Sequence, residues 1–330
     1  MSTTQLDRQI EQFQHQFKTV RDEVAKVIVG ADPIIDGILM GVLARGHVLL
    51  EGVPGLGKTK LVQTLSGALH LKFSRIQFTP DLMPADITGT NVVQEDENGE
   101  RYLQFQPGPI FANVILADEI NRATPKTQSA LLEAMQEKTV TVGKESYKLD
   151  LPFFVLATQN PVEMEGTYPL PEAQLDRFFM KLSVDYPTVE SMHTILNRTT
   201  QVKEPVPEQV LTGAELMAMR ETVLAIPIAR PIQDFAVRLI LATHPDQPSA
   251  HPLTKQYVRY GASPRGAQAL VLGAKIRALL HNRIHVSTED IRAIALPVLR
   301  HRVLLNFEGE AEQVRTDSII EAILRDTQAP

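Results

Sequence analysis

Apolar residues along the chain follow two different spacings, and the change between them divides the sequence. From Leu6 to Val29 they recur every three or four positions, which is typical of an amphipathic helix. Gly30 interrupts this pattern, and a second helix is predicted from Pro33 to about Arg45, with Asp32 as its N-cap. The chain therefore opens with two helices.

Short apolar runs then alternate with helical segments such as Pro125–Glu137. The runs Val114–Ala117 and Phe153–Ala157 are continuously apolar, as expected for strands that are buried on both faces of a parallel sheet. The alternation predicts an α/β fold with right-handed crossovers. The five predicted strands are His47–Leu50, Phe73–Phe78, Val114–Ala117, Phe153–Ala157 and Met180–Val184.

Two insertions interrupt this alternation. The first spans Pro80–Pro109 and contains the turn Asn98–Gly99, and the second places Gly143 and Lys144 between two β-prone runs of the segment Thr139–Leu149. An Asn-Gly or Gly-containing turn between such runs predicts a β-hairpin. We expect both hairpins to project from the sheet and to stay outside its core.

After residue 212 the pattern is helical, with no convincing strand. The predicted helices are Ala214–Leu224, Ile232–Ala242, Pro264–Leu280, Thr288–Leu299 and Asp317–Leu324. They predict a small helical bundle. We therefore divide the chain into an α/β domain (1–186) that carries both hairpins, a linker (187–211) and an all-α domain (212–330).

Composition narrows the class of protein. A length of 330 residues suits two domains, and the absence of cysteine excludes disulfides and thiolate sites. The formal net charge of −6 argues against a dedicated nucleic-acid binder. The polar segment Met1–Gln14 has no apolar signal core, and no run of about 18 apolar residues occurs. We expect a cytoplasmic protein without a membrane span.

The strongest chemical signal is the segment Gly52-Val53-Pro54-Gly55-Leu56-Gly57-Lys58-Thr59. It follows an apolar strand and opens a helix, which is the context of a phosphate-binding loop. Its glycines let backbone N–H groups turn towards a phosphate, and the helix N-terminus adds partial positive charge. Lys58 can reach the β- and γ-phosphates, and the Thr59 hydroxyl can bind Mg²⁺.

Two carboxylates follow the strand Val114–Ala117. Asp118 and Glu119 would lie at the carboxyl edge of the sheet, where ligands bind in open α/β folds. Asp118 can hold Mg²⁺, and Glu119 is suited to polarise an attacking water. Alone, this pair reads equally well as a helix N-cap. The phosphate-binding loop favours the catalytic interpretation.

Three further polar residues are candidates. Asn160 follows another apolar strand and could orient a water against the γ-phosphate, although asparagine before proline is also a common turn. Arg177 precedes the last strand, and Arg265 lies in the first turn of the helix predicted at Pro264, after the N-cap Ser263. Such arginines are usually solvated or salt-bridged. Arg177 gains a role if it meets a neighbouring subunit's γ-phosphate.

Together these motifs resemble the MoxR group of AAA+ ATPases. The similarity covers the chain from Val29 to about Leu305, and its most specific part is the run Glu165–Phe178. The resemblance implies a P-loop core with strand order 5-1-4-3-2, a helical lid and assembly into a hexameric ring. It also implies ATP and Mg²⁺ as cofactors.

The resemblance implies a role for each motif as well. Gly52–Thr59 would be Walker A and Asp118–Glu119 Walker B, with Val29 and Gly30 lining the adenine pocket. Asn160 would be sensor 1, Arg177 the arginine finger and Arg265 sensor 2. The hairpins would be the helix-2 insert and the pre-sensor-1 hairpin of the clade that includes magnesium chelatase subunits.

The family resemblance implies an ATP-hydrolysing ring with chaperone-like activity, which remodels or matures a protein partner, often one with a von Willebrand A domain. A chelatase-type motor that drives metal insertion is one alternative. A nucleotide-gated scaffold with little turnover is another, and the intact Glu119, Asn160 and Arg177 argue against it. A nucleic-acid motor is the weakest alternative because the chain is acidic.

Overall fold

The computed structural model describes residues 3–160, 166–200 and 205–330, with side chains from Arg8 onward. Glu165, with which the run Glu165–Phe178 begins, lies outside these ranges, as does Pro161, the proline that follows Asn160. In chain order, the elements of the first 200 residues are α1 (Thr3–Val27), α2 (Asp32–Leu43), β1 (His47–Glu51), α3 (Lys58–Ala68), β2 (Phe73–Gln77), α4 (Pro84–Thr88), β3 (Gly89–Glu95), β4 (Arg101–Pro107), β5 (Val114–Asp118), α5 (Pro125–Glu137), β6 (Thr139–Val142), β7 (Glu145–Lys148), β8 (Phe154–Gln159), α6 (Glu172–Leu175), β9 (Phe178–Ser183) and α7 (Val189–Thr199).

The remaining elements are mostly helical. In chain order they are α8 (Gly213–Ala225), α9 (Arg230–Ala242), α10 (Pro252–Tyr257), β10 (Val258–Tyr260), α11 (Pro264–Leu280), α12 (Thr288–Leu299), β11 (Leu304–Leu305), α13 (Phe307–Ala311) and α14 (Thr316–Asp326). Helices α5, α11 and α12 have the bounds that the sequence predicts. No helix in the described ranges is both long and apolar enough to cross a bilayer.

The central sheet has five parallel strands in the order β2-β5-β8-β1-β9. Numbered among themselves, the sheet strands follow 5-1-4-3-2, so the predicted topology is confirmed. Strand β1 lies between β8 and β9, and Leu49 is opposite Ala157 on one side and Lys181 on the other. The carboxyl ends of β1, β5 and β8 therefore lie at the same edge of the sheet.

Apolar side chains cover both faces of the sheet. One face packs against α1, α2 and α3, and this core continues without interruption into the helices of the C-terminal bundle. Phe13 of α1 and Phe235 of α9 belong to the same buried cluster. The other face packs against α5, where Leu131 and Leu132 are buried. Our division into domains at residues 186 and 212 stays a prediction, and α7 occupies part of the predicted linker.

The two inserted hairpins differ in how far they leave the core. Strands β3 and β4 form a largely exposed hairpin whose Val93 and Leu103 are 65% and 67% exposed. The hairpin of β6 and β7 does not stay outside, because Val140 is 4% exposed and packs in the core under α5. Phe105 of β4 stacks on Tyr147 of β7, with ring centroids 4.0 Å apart. The hairpins therefore support each other.

Two expectations about local structure were wrong. Helix α2 begins at Asp32 itself, so the N-cap is Ala31, whose side chain makes no capping hydrogen bond. The C-terminal region is not free of strands, because β10 and β11 pair antiparallel through Val258–Leu305 and Tyr260–Leu304. These strands are three and two residues long. Segments this short carry no readable alternation, and their distance in sequence leaves no hairpin signal.

A buried histidine lies at the start of β1. The Val155 backbone N–H donates to His47 Nδ1 over 2.9 Å, and His47 Nε2 lies 3.0 Å from the Met135 carbonyl oxygen. Because Nδ1 accepts a hydrogen bond, the proton of the neutral ring is on Nε2. Burial, aided by the nearby Lys138 charge, lowers the pKa of His47 to about 3. The folded protein therefore keeps this ring neutral.

We predict that His47 makes the protein sensitive to acid. Below pH 6.5 the unfolded chain protonates this ring and the folded chain does not, so folding stability falls as the pH drops towards 3. Removing His47 should make the loss of stability with falling pH less steep. For His47→Gln, the slope of the free energy of unfolding against pH should be smaller than that of the parent protein by about 1.4 kcal/mol per pH unit. Urea unfolding between pH 6 and 4.5 measures the slope. At pH 8, where the ring is neutral in the folded and the unfolded chain, the same variant measures the stability lost through the substitution itself. Equal slopes in both proteins would contradict the prediction.

Candidate functional site

The loop after β1 has the backbone of a phosphate-binding loop. Gly55 and Gly57 have φ values of +84° and +73°, in the left-handed region that favours glycine. Open space surrounds both positions, with nothing within 4 Å of an added Cβ. Helix α3 begins at Lys58, and its N-cap Gly57 provides no side-chain cap. The first N–H groups of the helix and its dipole are thus directed at the loop.

Lys58 folds back over this loop. Its Nζ donates to the carbonyl oxygens of Gly52 at 2.6 Å and Val53 at 3.2 Å. Burial lowers the pKa of Lys58, and the charges of Asp118 and Glu119 act in the opposite direction. These two carboxylates are therefore electrostatic neighbours of the lysine, as expected for one shared site.

Asp118 ends strand β5 and is held from two sides. The Thr158 hydroxyl donates to Oδ1 at 2.7 Å, and Arg75 Nη2 donates to Oδ2 at 2.7 Å. The Asp118 side chain is 14% exposed, whereas that of Arg75 is 46% exposed. Arg75 therefore reaches the largely buried carboxylate from the solvent side of the pair.

Glu119 adopts a left-handed backbone conformation with φ +56°, which is uncommon for a non-glycine residue. Its backbone N–H donates to Thr158 Oγ1 at 2.8 Å. Gln77 Nε2 donates to Glu119 Oε2 at 2.9 Å, and Arg122 Nη1 lies 3.2 Å from the same oxygen. The carboxylate is thus held towards the neighbouring strand β2.

Asn160 directly follows β8, between the strand that leads into the loop and the strand that ends in Asp118. The Gly52 backbone N–H donates to the carbonyl of Gln159 at 3.2 Å, which ties the loop to this strand. Asn160 is 8% exposed. The structure therefore brings the loop, Asp118, Glu119 and Asn160 to one edge of the sheet.

Val29 and Gly30 approach the same region from α1. Gly30 has φ +69°, and an added Cβ would come within 2.5 Å of Ser191 Oγ in α7. Gly52 has a similar close neighbour, since its added Cβ would lie 2.9 Å from Val184 Cβ. Helix α7 and the end of β9 therefore form the surroundings in which an adenine pocket would have to lie.

Arg177 lies at the opposite edge of the sheet. Strand β9 is parallel to β1, with Phe178 opposite His47 and Ser183 opposite Glu51. The length of β9 thus separates Arg177 from the level of the loop by about 16 Å. Arg177 Nη1 donates to the Leu132 carbonyl at 2.5 Å, while its buried Nε has no hydrogen-bond partner.

Arg265 lies beside Asp176, the residue that precedes Arg177. The Ser263 side chain caps α11 by accepting from the Arg265 N–H, as the sequence predicted. Arg265 Nη1 is 3.5 Å from Asp176 Oδ2, and the Arg265 side chain is 49% exposed. It borders an open cavity of about 310 Å³ that Asp176, Ser263 and Arg302 also line. The candidate residues therefore form two groups at opposite edges.

Several residues around Asp118 and Glu119 were not singled out from the sequence. Thr158 holds both, while Gln77 and Arg75 reach them from β2. The strand order could have indicated these contacts, since it pairs β2 with β5 and puts Gln77 opposite Asp118. Polar residues at the end of β2 could therefore have been expected to contact the carboxylates.

The residues present fit a nucleotide with its metal ion. The described part of the chain contains no cluster of three or more His, Cys, Asp or Glu that could hold a metal. Mg²⁺ in nucleotide sites is usually bound by one or two protein oxygens, with phosphates and waters completing the shell. Thr59 and Asp118 provide such oxygens, and the open, glycine-lined loop provides room for phosphates.

Comparisons with known proteins agree with this geometry. The family described as "ATPase family associated with various cellular activities (AAA)" matches residues 47–180, and an AAA lid domain matches residues 251–323. "Chaperone MoxR1" of Mycobacterium tuberculosis is 41% identical over 93% of this chain and 81% of its own length. "Protein MoxR" of Methylorubrum extorquens is 32% identical over 93% of each chain.

A solved structure has the same fold. The crystal structure of a "putative ATPase" from Cytophaga hutchinsonii superposes with a TM-score of 0.91 and is 42% identical. The similarity covers 99% of this chain and 98% of that one. It therefore includes both the sheet and the helical bundle.

We predict that Thr158 stabilises the carboxylate edge. Thr158→Val keeps the shape but removes the hydroxyl, which leaves the Glu119 N–H unpaired and Asp118 with one donor fewer. The free energy of unfolding in urea should fall by about 1–3 kcal/mol. Thr158→Ser, which keeps the hydroxyl, is the matched control and should lose about 1 kcal/mol or less. A valine variant as stable as the serine variant would show that these bonds contribute nothing.

Proposed function

Because the chain belongs to the MoxR family of AAA+ ATPases, we propose that it hydrolyses ATP with Mg²⁺ in a ring of identical subunits. The energy released would remodel or mature a protein partner. One observation carries this proposal: Arg177 and Arg265 lie at the edge of the sheet opposite the phosphate-binding loop. Arginines placed there serve a phosphate only across an interface between subunits.

Such an interface must be heterologous, because the loop edge of one subunit meets the arginine edge of the next. A heterologous interface that closes on itself forms a ring. We propose a hexamer, the ring size that the family resemblance implies. An arginine supplied across the interface would stabilise the charge that develops on the transferred phosphoryl group.

We propose the following roles within one subunit, which the geometry at the loop edge supports. Gly52–Thr59 would hold the phosphates, with Thr59 and Asp118 on Mg²⁺, and Val29 and Gly30 would border the adenine. The ion would neutralise charge on the phosphate oxygens. Asn160 would orient the attacking water. Glu119 would accept its proton, for which its carboxylate must leave Gln77 and Arg122.

The exposed hairpin of β3 and β4 supports the choice of a protein as partner. Val93 and Leu103 are cross-strand neighbours and both are about two-thirds exposed, so they form an apolar surface near the tip. Exposed apolar surface of this kind suits contact with another polypeptide. We include a von Willebrand A domain protein as the partner class that the family resemblance implies.

We predict that binding and hydrolysis separate at Lys58 and Glu119. Lys58→Ala removes the charge that contacts phosphates, so the affinity for ATP should fall in a fluorescent-nucleotide titration. Glu119→Gln keeps the size and the Gln77 contact but removes the base. It should bind ATP normally and lose turnover by about 10²-fold or more in a phosphate-release assay. Glu119→Gln with the turnover of the parent protein would refute the assignment of the base.

We predict that active sites are shared between subunits. Arg177→Ala should bind ATP with unchanged affinity and lose about 10³-fold in turnover. Mixing it with Lys58→Ala subunits should restore activity, since some interfaces then pair an intact loop with an intact Arg177. Turnover per subunit should also rise with protein concentration. If activity is independent of concentration and the mixture stays inactive, the shared site is wrong.

A further inference from the structure

Asp176, the residue before Arg177, is the meeting point of three groups from the C-terminal bundle. Its carboxylate accepts from Ser263 Oγ at 2.9 and 2.8 Å and from Arg302 Nε at 3.0 Å. Arg265 Nη1 lies 3.5 Å from Oδ2. The side chain is 17% exposed. One carboxylate thus joins the start of β9 to the start of α11 and to the segment after α12.

Arg302 completes this junction from the inside. Besides the Asp176 carboxylate, it donates to the backbone carbonyls of Asp176 at 3.2 Å, Phe178 at 2.5 Å and Phe179 at 3.2 Å. It also donates to the carbonyl of Val298 in α12. The Arg302 side chain is 2% exposed. A single guanidinium therefore binds α12 to the first residues of β9.

These contacts restrain the backbone on both sides of Arg177. The carbonyls of Asp176 and Phe178 accept from the same guanidinium nitrogen, Nη2 of Arg302. Burial lowers the pKa of Arg302 to about 10, so the group stays charged at neutral pH, and Asp176 supplies its counter-charge. A buried charge without its partner is costly, so the pair fixes this junction firmly.

Arg265 is joined to the junction more loosely. Its contact with Asp176 is longer than those of Ser263 and Arg302, and its side chain is half exposed beside the open cavity. Ser263, two residues earlier, is tightly held and caps α11. The backbone that carries Arg265 is therefore fixed to Asp176, while the guanidinium can move towards a neighbouring subunit.

We propose that Asp176 and Arg302 are positioning residues that hold Arg177 and Arg265 as one unit for the neighbouring subunit's phosphates. The inference rests on the proposed function, because it requires sites shared between subunits. The Asp176 carboxylate fixes the distance between the two arginine-bearing backbones. Without its charge each arginine would reach the phosphates separately, and the transition state would lose their combined stabilisation.

The test uses Asp176→Asn in the full-length chain. The amide keeps the size and one acceptor oxygen but removes the charge that faces Arg302 and Arg265. ATP affinity should stay unchanged, because the variant's own loop lies at the other edge of the sheet, while turnover should fall at least about 10-fold. Mixing with Lys58→Ala subunits should restore activity, since their intact arginines then serve the variant's intact loop.

Glu172→Gln is the matched control. Glu172 lies one turn earlier and pairs with Arg259 at 2.7 Å, with side chains that are 45% and 57% exposed. Removing this charge from the same cavity wall should leave turnover within about twofold, because exposed pairs contribute little. An equal loss in both variants would mean that removing any negative charge near the cavity lowers turnover, and it would overturn the specific role of Asp176.

If Asp176→Asn does not fold, Ser263→Ala provides a second test of the same proposal. It removes only one donor to Asp176 and a helix cap, so turnover should fall a few-fold and recover in the mixture with Lys58→Ala.

The proposal is overturned if Asp176→Asn keeps full turnover, or if its loss is not rescued while that of Arg177→Ala is. If neither variant is rescued, the shared site itself fails.

Discussion

All five strands of the central sheet run in the same direction, and this alignment decides where each functional side chain lies. Residues that follow a strand gather at one edge, and residues that precede a strand gather at the other. The loop and Asn160 each follow a strand and Asp118 ends one, whereas Arg177 precedes a strand. The direction of the strands therefore keeps Arg177 and the loop at opposite edges of the sheet within one chain. This separation is the basis of the proposed site shared between subunits.

Much of the fold was predictable because it is repetitive. The buried strands are continuously apolar, and α5, α11 and α12 begin with Pro or a capping Ser/Thr pattern that marks their start. The exceptions are elements that depend on partners far away in sequence. The β10–β11 pair is too short to show alternation, and Val140 enters the core because α5 covers it.

The candidate site shows the same division. Motifs that follow strands could be located from the sequence, since each needs only local spacing. The contacts that orient them could not, because they depend on strand register and on side-chain reach. Thr158 reads as part of a turn motif until its hydroxyl is seen to join Asp118 and Glu119. Likewise, Asp176 and Arg302 are 126 residues apart, and each reads as an ordinary surface charge until both are seen at one junction.

The stack of Phe105 on Tyr147 has a mechanical consequence. Strand β4 leads through a short segment, which includes Phe111, into β5 and Asp118, while β7 leads into β8 and Asn160. Phe111 also contacts both stacked rings, with centroids 5.6 Å from Phe105 and 6.4 Å from Tyr147. The outer hairpin is thus connected through these rings to the two strands that lead to Asp118 and Asn160. If the hairpin binds a polypeptide, as proposed above, tension on that polypeptide would reach both sides of the proposed nucleotide site together.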